Sequence, residues 1–177
     1  YEWWWSTRQE ITSSFAPGDK DSKKTLFDRS SEDRYGDPGS FVTADNAAGR
    51  SVLLTNAAGD ELFLTGQGAS PEGNRPFIRS YSLKSGNTQE LWRSQAPYYE
   101  VPVGIMDIEK GQFISRRESR EEPPNYLLKS WKNSRQTALT DFPHPYPALQ
   151  GVNKQVVHFT RKDGVALKGD LYLPKGY

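Results

Sequence analysis

PFIRSYSLKSGNTQELW, Pro76 to Trp92, is the stretch on which the reading of the whole chain turns. Phe77, Arg79, Tyr81 and Leu83 fall on one side of a period-2 pattern, which is the signature of a strand with one face committed to packing. Lys84-Ser85-Gly86-Asn87 then supplies turn chemistry, and Glu90-Leu91-Trp92 reads as the returning strand of a β-hairpin. The segment PNYLLKSWKNSRQTAL, Pro124 to Leu139, repeats the arrangement: Leu83-Lys84-Ser85 is echoed by Leu128-Lys129-Ser130, 45 residues later. A third version, with a longer turn, is expected from Ile11 through Phe15 to Pro17-Gly18-Asp19 and out along Thr25-Leu26-Phe27. Self-similarity at roughly 40 to 50 residues in a strand-rich chain is the spacing of a four-stranded propeller blade, the hairpin being its outer half.

Working outward from these hairpins assigns most of the chain. Tyr98 to Met106 and Gly111 to Arg117 form the inner pair that precedes the outer pair Tyr126 to Trp131 and Gln136 to Thr140. Phe41 to Leu64 holds two turns, Asn46 to Gly49 and Ala57 to Asp60, around the strands Ser51 to Thr55 and Glu61 to Thr65. Gln9 to Phe15 and Lys24 to Phe27 belong to an earlier blade. Trp3-Trp4-Trp5 reads as part of a strand buried on both faces, because a helix would expose one of the three rings. Asp28 to Ser40, rich in Ser, Gly and charge, is a rim loop. Gly66 to Arg75, GQGASPEGNR, is a long glycine-rich connector of the kind that reaches ligands or neighbouring domains.

At Asp141-Phe142-Pro143-His144-Pro145-Tyr146-Pro147 the texture changes. Three prolines in alternate positions forbid ladder pairing and favour a stiff, extended joint. Beyond it, Lys154 to Arg161 and Val165 to Leu173 alternate around Lys162-Asp163-Gly164, a tight-turn signal. The expected organisation is therefore residues 1–141 as blades of a partial β-propeller, 142–153 as the connector, and 154–177 as the first hairpin of a second domain.

Composition narrows the function classes. Lys and Arg number 23 against 22 Asp and Glu, a net charge of +1 with the signs interleaved, so no nucleic-acid or membrane surface is expected. The chain contains no cysteine, which removes disulfides, thiolate metal sites and a cysteine nucleophile together. The sole methionine is Met106 and the chain opens on Tyr1, so a piece of a longer protein is expected.

Several runs also resemble a known family. Arg161 to Leu167, followed by Leu171-Tyr172-Leu173-Pro174-Lys175-Gly176-Tyr177, is similar to the entry into the α/β-hydrolase domain of prolyl oligopeptidase family serine peptidases. Phe142 to Pro147, Ser31 to Gly39 (SEDRYGDPG) and Gly66 to Gly73 resemble the glutamyl endopeptidase branch, known from plastids and bacteria. The resemblance implies an all-β partial propeller with four-stranded antiparallel blades, followed by a hairpin that begins an α/β-hydrolase domain. It implies a parent serine peptidase whose propeller limits access to the active site, in a plastid or an exported bacterial compartment. Its partners would be a peptide or protein substrate and the rest of the propeller and hydrolase domain. No cofactor is implied.

The catalytic serine, aspartate and histidine of that family lie downstream of the residues matched here. No G-x-S-x-G elbow occurs: Gly49-Arg50-Ser51-Val52-Leu53 and Gly68-Ala69-Ser70-Pro71-Glu72 both lack the final glycine. His144 and His158 accordingly read as structural, and no catalytic residue is assigned within the chain. Asp33 and Asp37 are weighed as a cation site and read instead as turn caps paired with Arg29 or Arg34. A glutamate-preferring peptidase must neutralise a substrate carboxylate, for which the planar fork of arginine is suited. Arg8, Arg34 and Arg75 are the substrate-binding candidates, since each falls at a strand end or in a rim loop. The competing class is a non-enzymatic propeller that binds proteins through its rim loops.

Overall fold

The computed structural model describes residues 1–177 and is all-β apart from one 3-10 turn at Pro147–Leu149. Its first sheet has three strands, β1 (Glu2–Trp3), β2 (Gln9–Ala16) and β3 (Asp19–Ser30), in sequential order. Next come β4 (Ser40–Phe41) and a side ribbon of β5 (Thr43–Asp45) and β6 (Ser51–Leu53). The chain returns to β4 with β7 (Glu61–Gly66), β8 (Phe77–Ser82) and β9 (Thr88–Arg93), giving a four-stranded sheet ordered β4-β7-β8-β9. A second four-stranded sheet runs in strict sequence through β10 (Tyr99–Asp107), β11 (Gln112–Glu118), β12 (Asn125–Ser130) and β13 (Gln136–Ala138). Past the proline-rich joint, β14 (Asn153–Thr160) and β15 (Ala166–Leu173) pair as a separate ribbon. All pairings are antiparallel and no sheet closes on itself.

The sequence of β7, ELFLTG, explains why the sheets lie face to face. Successive residues of a strand point to opposite faces, so Leu62 and Leu64 point one way and Phe63 the other, and all three are buried. Leu62 and Leu64 join Tyr81 against Leu26, Phe27, Phe41 and Leu83, with Phe27 and Tyr81 ring centroids 5.2 Å apart edge to face. Phe63 faces the other way, toward Trp131, 6.3 Å away. Phe113, fully buried on β11, sits 5.1 Å from Trp92 and 6.0 Å from Trp131. Apolar packing is thus divided between two seams, one on each side of the middle sheet.

Both expected outer hairpins are present, as β8–β9 and β12–β13, and so are the inner pair β10–β11 and the final hairpin β14–β15. Four details differ. The third hairpin turns tightly at Pro17-Gly18, and its length lies in its arms, since β3 runs for 12 residues. Asp28 to Ser30 consequently belong to β3, leaving 31–39 as the loop. Ser51–Leu53 pairs with Thr43–Asp45 in the side ribbon and not with the main sheet. The tryptophan triplet is not a doubly buried strand: β1 stops at Trp3, the next residues turn, and Trp3, Trp4 and Trp5 are 42%, 41% and 70% exposed. β1 pairs through just two residues and on one edge only, too short to hold three rings between packed layers. No helix is long and apolar enough to cross a membrane.

Candidate functional site

Strand order fixes a common side for the residues of interest. In an antiparallel sheet joined in sequence, the start of strand one, the link between strands two and three, and the end of strand four lie on the same side. For the third sheet these are Tyr99, loop 119–124 and the exit toward the proline joint. For the middle sheet they are Ser40, loop 67–76 and the end of β9. In the first sheet the β1–β2 link, residues 4–8, and the end of β3 occupy that side.

Contacts between elements agree with this sidedness. The Ser31 amide donates to the Arg8 carbonyl at 2.7 Å, the Tyr99 hydroxyl to Gln67 Oε1 at 3.0 Å, and the Phe142 amide to Asn125 Oδ1 at 2.7 Å. On the opposite side, Lys24 Nζ of the first sheet donates to the Leu83 carbonyl of the middle one at 2.6 Å.

Arg8, Arg34 and Arg75 therefore all lie on the side from which the proline joint departs. Arg8 is half-buried, with its guanidinium 3.7 Å above Trp5 and Nε 3.1 Å from Glu32. Its backbone is left-handed, φ 58°, the one such non-glycine residue in the chain. Arg34 is exposed in the next loop, two residues beyond Glu32, and forms no ion pair. Arg75 closes the glycine-rich loop, with Nε 4.0 Å from Glu72. The structure thus joins Arg8 to the loop of Arg34 through Ser31 and Glu32, whereas Arg75 stands in a separate loop.

Behind these loops runs a line of charge that sequence reading missed. Arg29 pairs with Glu10 at 2.5 Å and reaches Asp37 at 3.4 Å. Glu90 receives three bonds of 2.6–3.0 Å from the Arg93 guanidinium, which also donates to the Arg75 carbonyl at 3.1 Å. Arg93 holds the Glu90 carboxyl below the usual glutamate value, partly against the cost of burial. Arg79 lies 3.8 Å from Glu90 and 4.1 Å over the Phe77 ring, and desolvation, then the like charge of Arg93, lowers its pKa. The available signal was a charged residue on the apolar face shared with Phe77 and Tyr81.

Asp33 and Asp37 are engaged as the turn reading expects. Asp33 Oδ1 accepts the amides of Tyr35 and Gly36 at 3.1 and 2.9 Å, and Asp37 Oδ1 accepts that of Gly39 at 2.9 Å besides facing Arg29. No three His, Asp or Glu side chains converge as metal ligands would. His144 Nδ1 accepts the Tyr146 amide at 3.0 Å, and His158 stands exposed on β14 opposite Lys168. Neither imidazole hydrogen-bonds a serine, the contact that activation of a serine nucleophile by histidine requires.

No family model matches the chain. Among solved structures, AtxE2 isopeptidase superposes in its apo form with a TM-score of 0.42 at 14% identity, covering 76% of this chain and 22% of that one. A serine-to-alanine variant of the same isopeptidase with Astexin3-dC4 bound gives 0.43 at 14% identity, covering 97% and 25%. The sequence comparison is far stronger. The chain is 40% identical over 190 residues to a probable chloroplastic glutamyl endopeptidase of Oryza sativa subsp. japonica, and 38% identical over 191 residues to its counterpart in Arabidopsis thaliana. Each alignment takes in 100% of this chain and 20% of the relative, so the chain spans about a fifth of their length. From Tyr1 to Tyr177 the chain is thus related, at 38–40% identity, to one segment of these probable glutamyl endopeptidases.

Proposed function

We propose that this chain supplies the access-controlling and substrate-facing part of a serine peptidase that cleaves after glutamate. The end-to-end identity of 38–40% to probable glutamyl endopeptidases carries the reading. In it, residues 1–141 are blades of a β-propeller, 142–153 the joint, and 154–177 the opening hairpin of the α/β-hydrolase domain, which holds the triad beyond Tyr177. The compartment in this reading is a plastid, which the relatives named chloroplastic support, or an exported bacterial space as its alternative.

The chemistry assigned to this chain is recognition. Hydrolysis after glutamate requires that a substrate carboxylate be matched as it leaves water, since an unpaired buried charge costs several kcal/mol, of order 3–5 when a partner is removed. Arg34 has no intramolecular carboxylate to release before binding another. Arg8 would first have to exchange Glu32, and Arg75 is held only at 4.0 Å. Arg34 and Arg75 are therefore the better-disposed groups, with Arg8 pre-positioned by Trp5.

Two measurements on the full-length protein test this. A fluorophosphonate probe should label one serine, and kcat/KM for a chromogenic Glu substrate should fall at least tenfold in Arg34→Ala or Arg75→Ala while that for a Gln analogue changes little. Absence of labelling overturns the peptidase reading and favours a non-enzymatic scaffold. Labelling, with all three arginine variants unchanged, overturns only the assignment of the carboxylate pocket.

A further inference from the structure

A cleft of about 810 Å3 separates β9 from the turn that joins β12 to β13, and Arg8, Arg34 and Arg75 are not part of its lining. That size falls within the range of about 300–1,000 Å3 typical of ligand sites. Trp92 and Trp131, both packed on Phe113, contribute to its lining. One wall is β9 itself. As the last strand of its sheet it has no partner on its outer edge, and its six residues present about 20 Å of unpaired backbone.

The charges in the cleft do not cancel. Its two carboxylates are occupied: Glu90 by the Arg93 fork, and Glu100 by Lys129 Nζ at 3.0 Å and Ser115 Oγ at 2.5 Å. Three further cations remain, Arg117, Lys132 and Arg135. Arg117 meets Glu122, which is not part of the lining, at 3.4 Å, and Lys132 Nζ donates to the Glu109 carbonyl at 2.5 Å. Arg135, in the exposed turn, has no carboxylate partner.

From this combination we infer that the cleft binds an extended, acidic peptide segment as an added strand along the outer edge of β9. The main chain of the segment pairs with Thr88–Arg93, and its carboxylates meet Arg117, Lys132 and Arg135. Backbone pairing supplies affinity with little dependence on side chains, and the cationic wall selects sign. The site needs no serine nucleophile, so it stands whether or not the parent is a peptidase.

The test is fluorescence anisotropy with a fluorescein-labelled decapeptide of alternating Glu and Val and the full-length protein, set against a Lys-Val decapeptide. The acidic probe should bind and weaken as salt rises, and the basic probe should not bind. Arg135→Glu with Lys132→Glu should weaken the acidic probe roughly tenfold or more, since two attractions become repulsions. Both positions are exposed, and an unchanged melting temperature checks the fold; Arg135→Gln alone should give an intermediate loss. Changing Arg8, Arg34 and Arg75 together to Ala should leave this binding in place. Equal binding of the basic probe, undiminished binding by the charge-reversed variant, or loss confined to the Arg8, Arg34 and Arg75 variant would each overturn the proposal.

Discussion

Replacing Lys129 by methionine should be among the most damaging single changes in the third sheet, and the structure says by how much. Glu100 is 4% exposed, and its carboxylate has two donors, Lys129 Nζ at 3.0 Å and Ser115 Oγ at 2.5 Å. The first ties β10 to β12 across β11, and the Glu100 amide adds a bond to Ser94 Oγ at 3.0 Å. Methionine keeps an apolar stem but removes the ammonium, which also stands 5.4 Å from the Trp92 ring centroid, leaving a buried anion with one hydroxyl. Breaking a buried pair costs about 3–5 kcal/mol, and because the Lys129 side chain keeps 18% exposure the expectation is the lower end, about 3 kcal/mol. Glu100→Gln preserves an acceptor for Ser115 and leaves Lys129 free to reach water, for about 1–2 kcal/mol. The double variant, with no charge to strand, should also cost only about 1–2 kcal/mol, a coupling of about 3 kcal/mol. Native-state hydrogen exchange at the amides joining β10, β11 and β12 in the full-length protein reads these changes locally, without requiring global two-state unfolding. If the single costs add to the double within about 0.5 kcal/mol, the pair is not a buried unit and the reasoning fails.

Other expectations rest on separate features. Gly39→Ala should destabilise the 31–39 loop by about 1–2 kcal/mol or more, because Gly39 has φ 90° and an added Cβ would strike the Thr65 carbonyl; unaltered melting refutes it. The Arg93 fork holds the Glu90 pKa down, so Glu90 contributes stability that is full above the ordinary glutamate value of 4.5 and is lost as pH falls through the lower folded value. The gap between the natural protein and Glu90→Gln should therefore be flat at neutral pH and shrink only in acid; a gap that widens in acid contradicts the assignment. The isolated 177-residue chain, with 14 residues buried and unpaired strand edges on every sheet, should self-associate or melt without cooperativity, and a monodisperse monomer in sedimentation velocity would count against this.

What the sequence disclosed followed periodicity. Phe77, Tyr81 and their alternating partners marked β8, Asp163-Gly164 marked the last hairpin, and the alternating prolines marked the joint, because each is a local rule that backbone geometry obeys. The failures have a shared cause in tertiary packing. Three adjacent tryptophans suggested a buried strand, yet burial depends on what packs over the strand, and β1 ends at Trp3 with all three rings at least 41% exposed. The long charged arm of β3 reads as loop when taken alone and becomes strand only through its register with β2. Loop positions of Arg8, Arg34 and Arg75 were legible, but the pairs Arg29–Glu10 and Arg79–Glu90 were not, since each joins neighbouring strands whose register only the folded sheet sets.

The alternation of links between the two sides has an evolutionary reading as well. Hairpin tips at Pro17-Gly18, Ser85-Gly86 and Asn133-Ser134 all point away from the proline joint, so insertions there lengthen the far side without disturbing the residues around Arg8 and Arg34. The two sides of one body can in this way vary in length independently of each other.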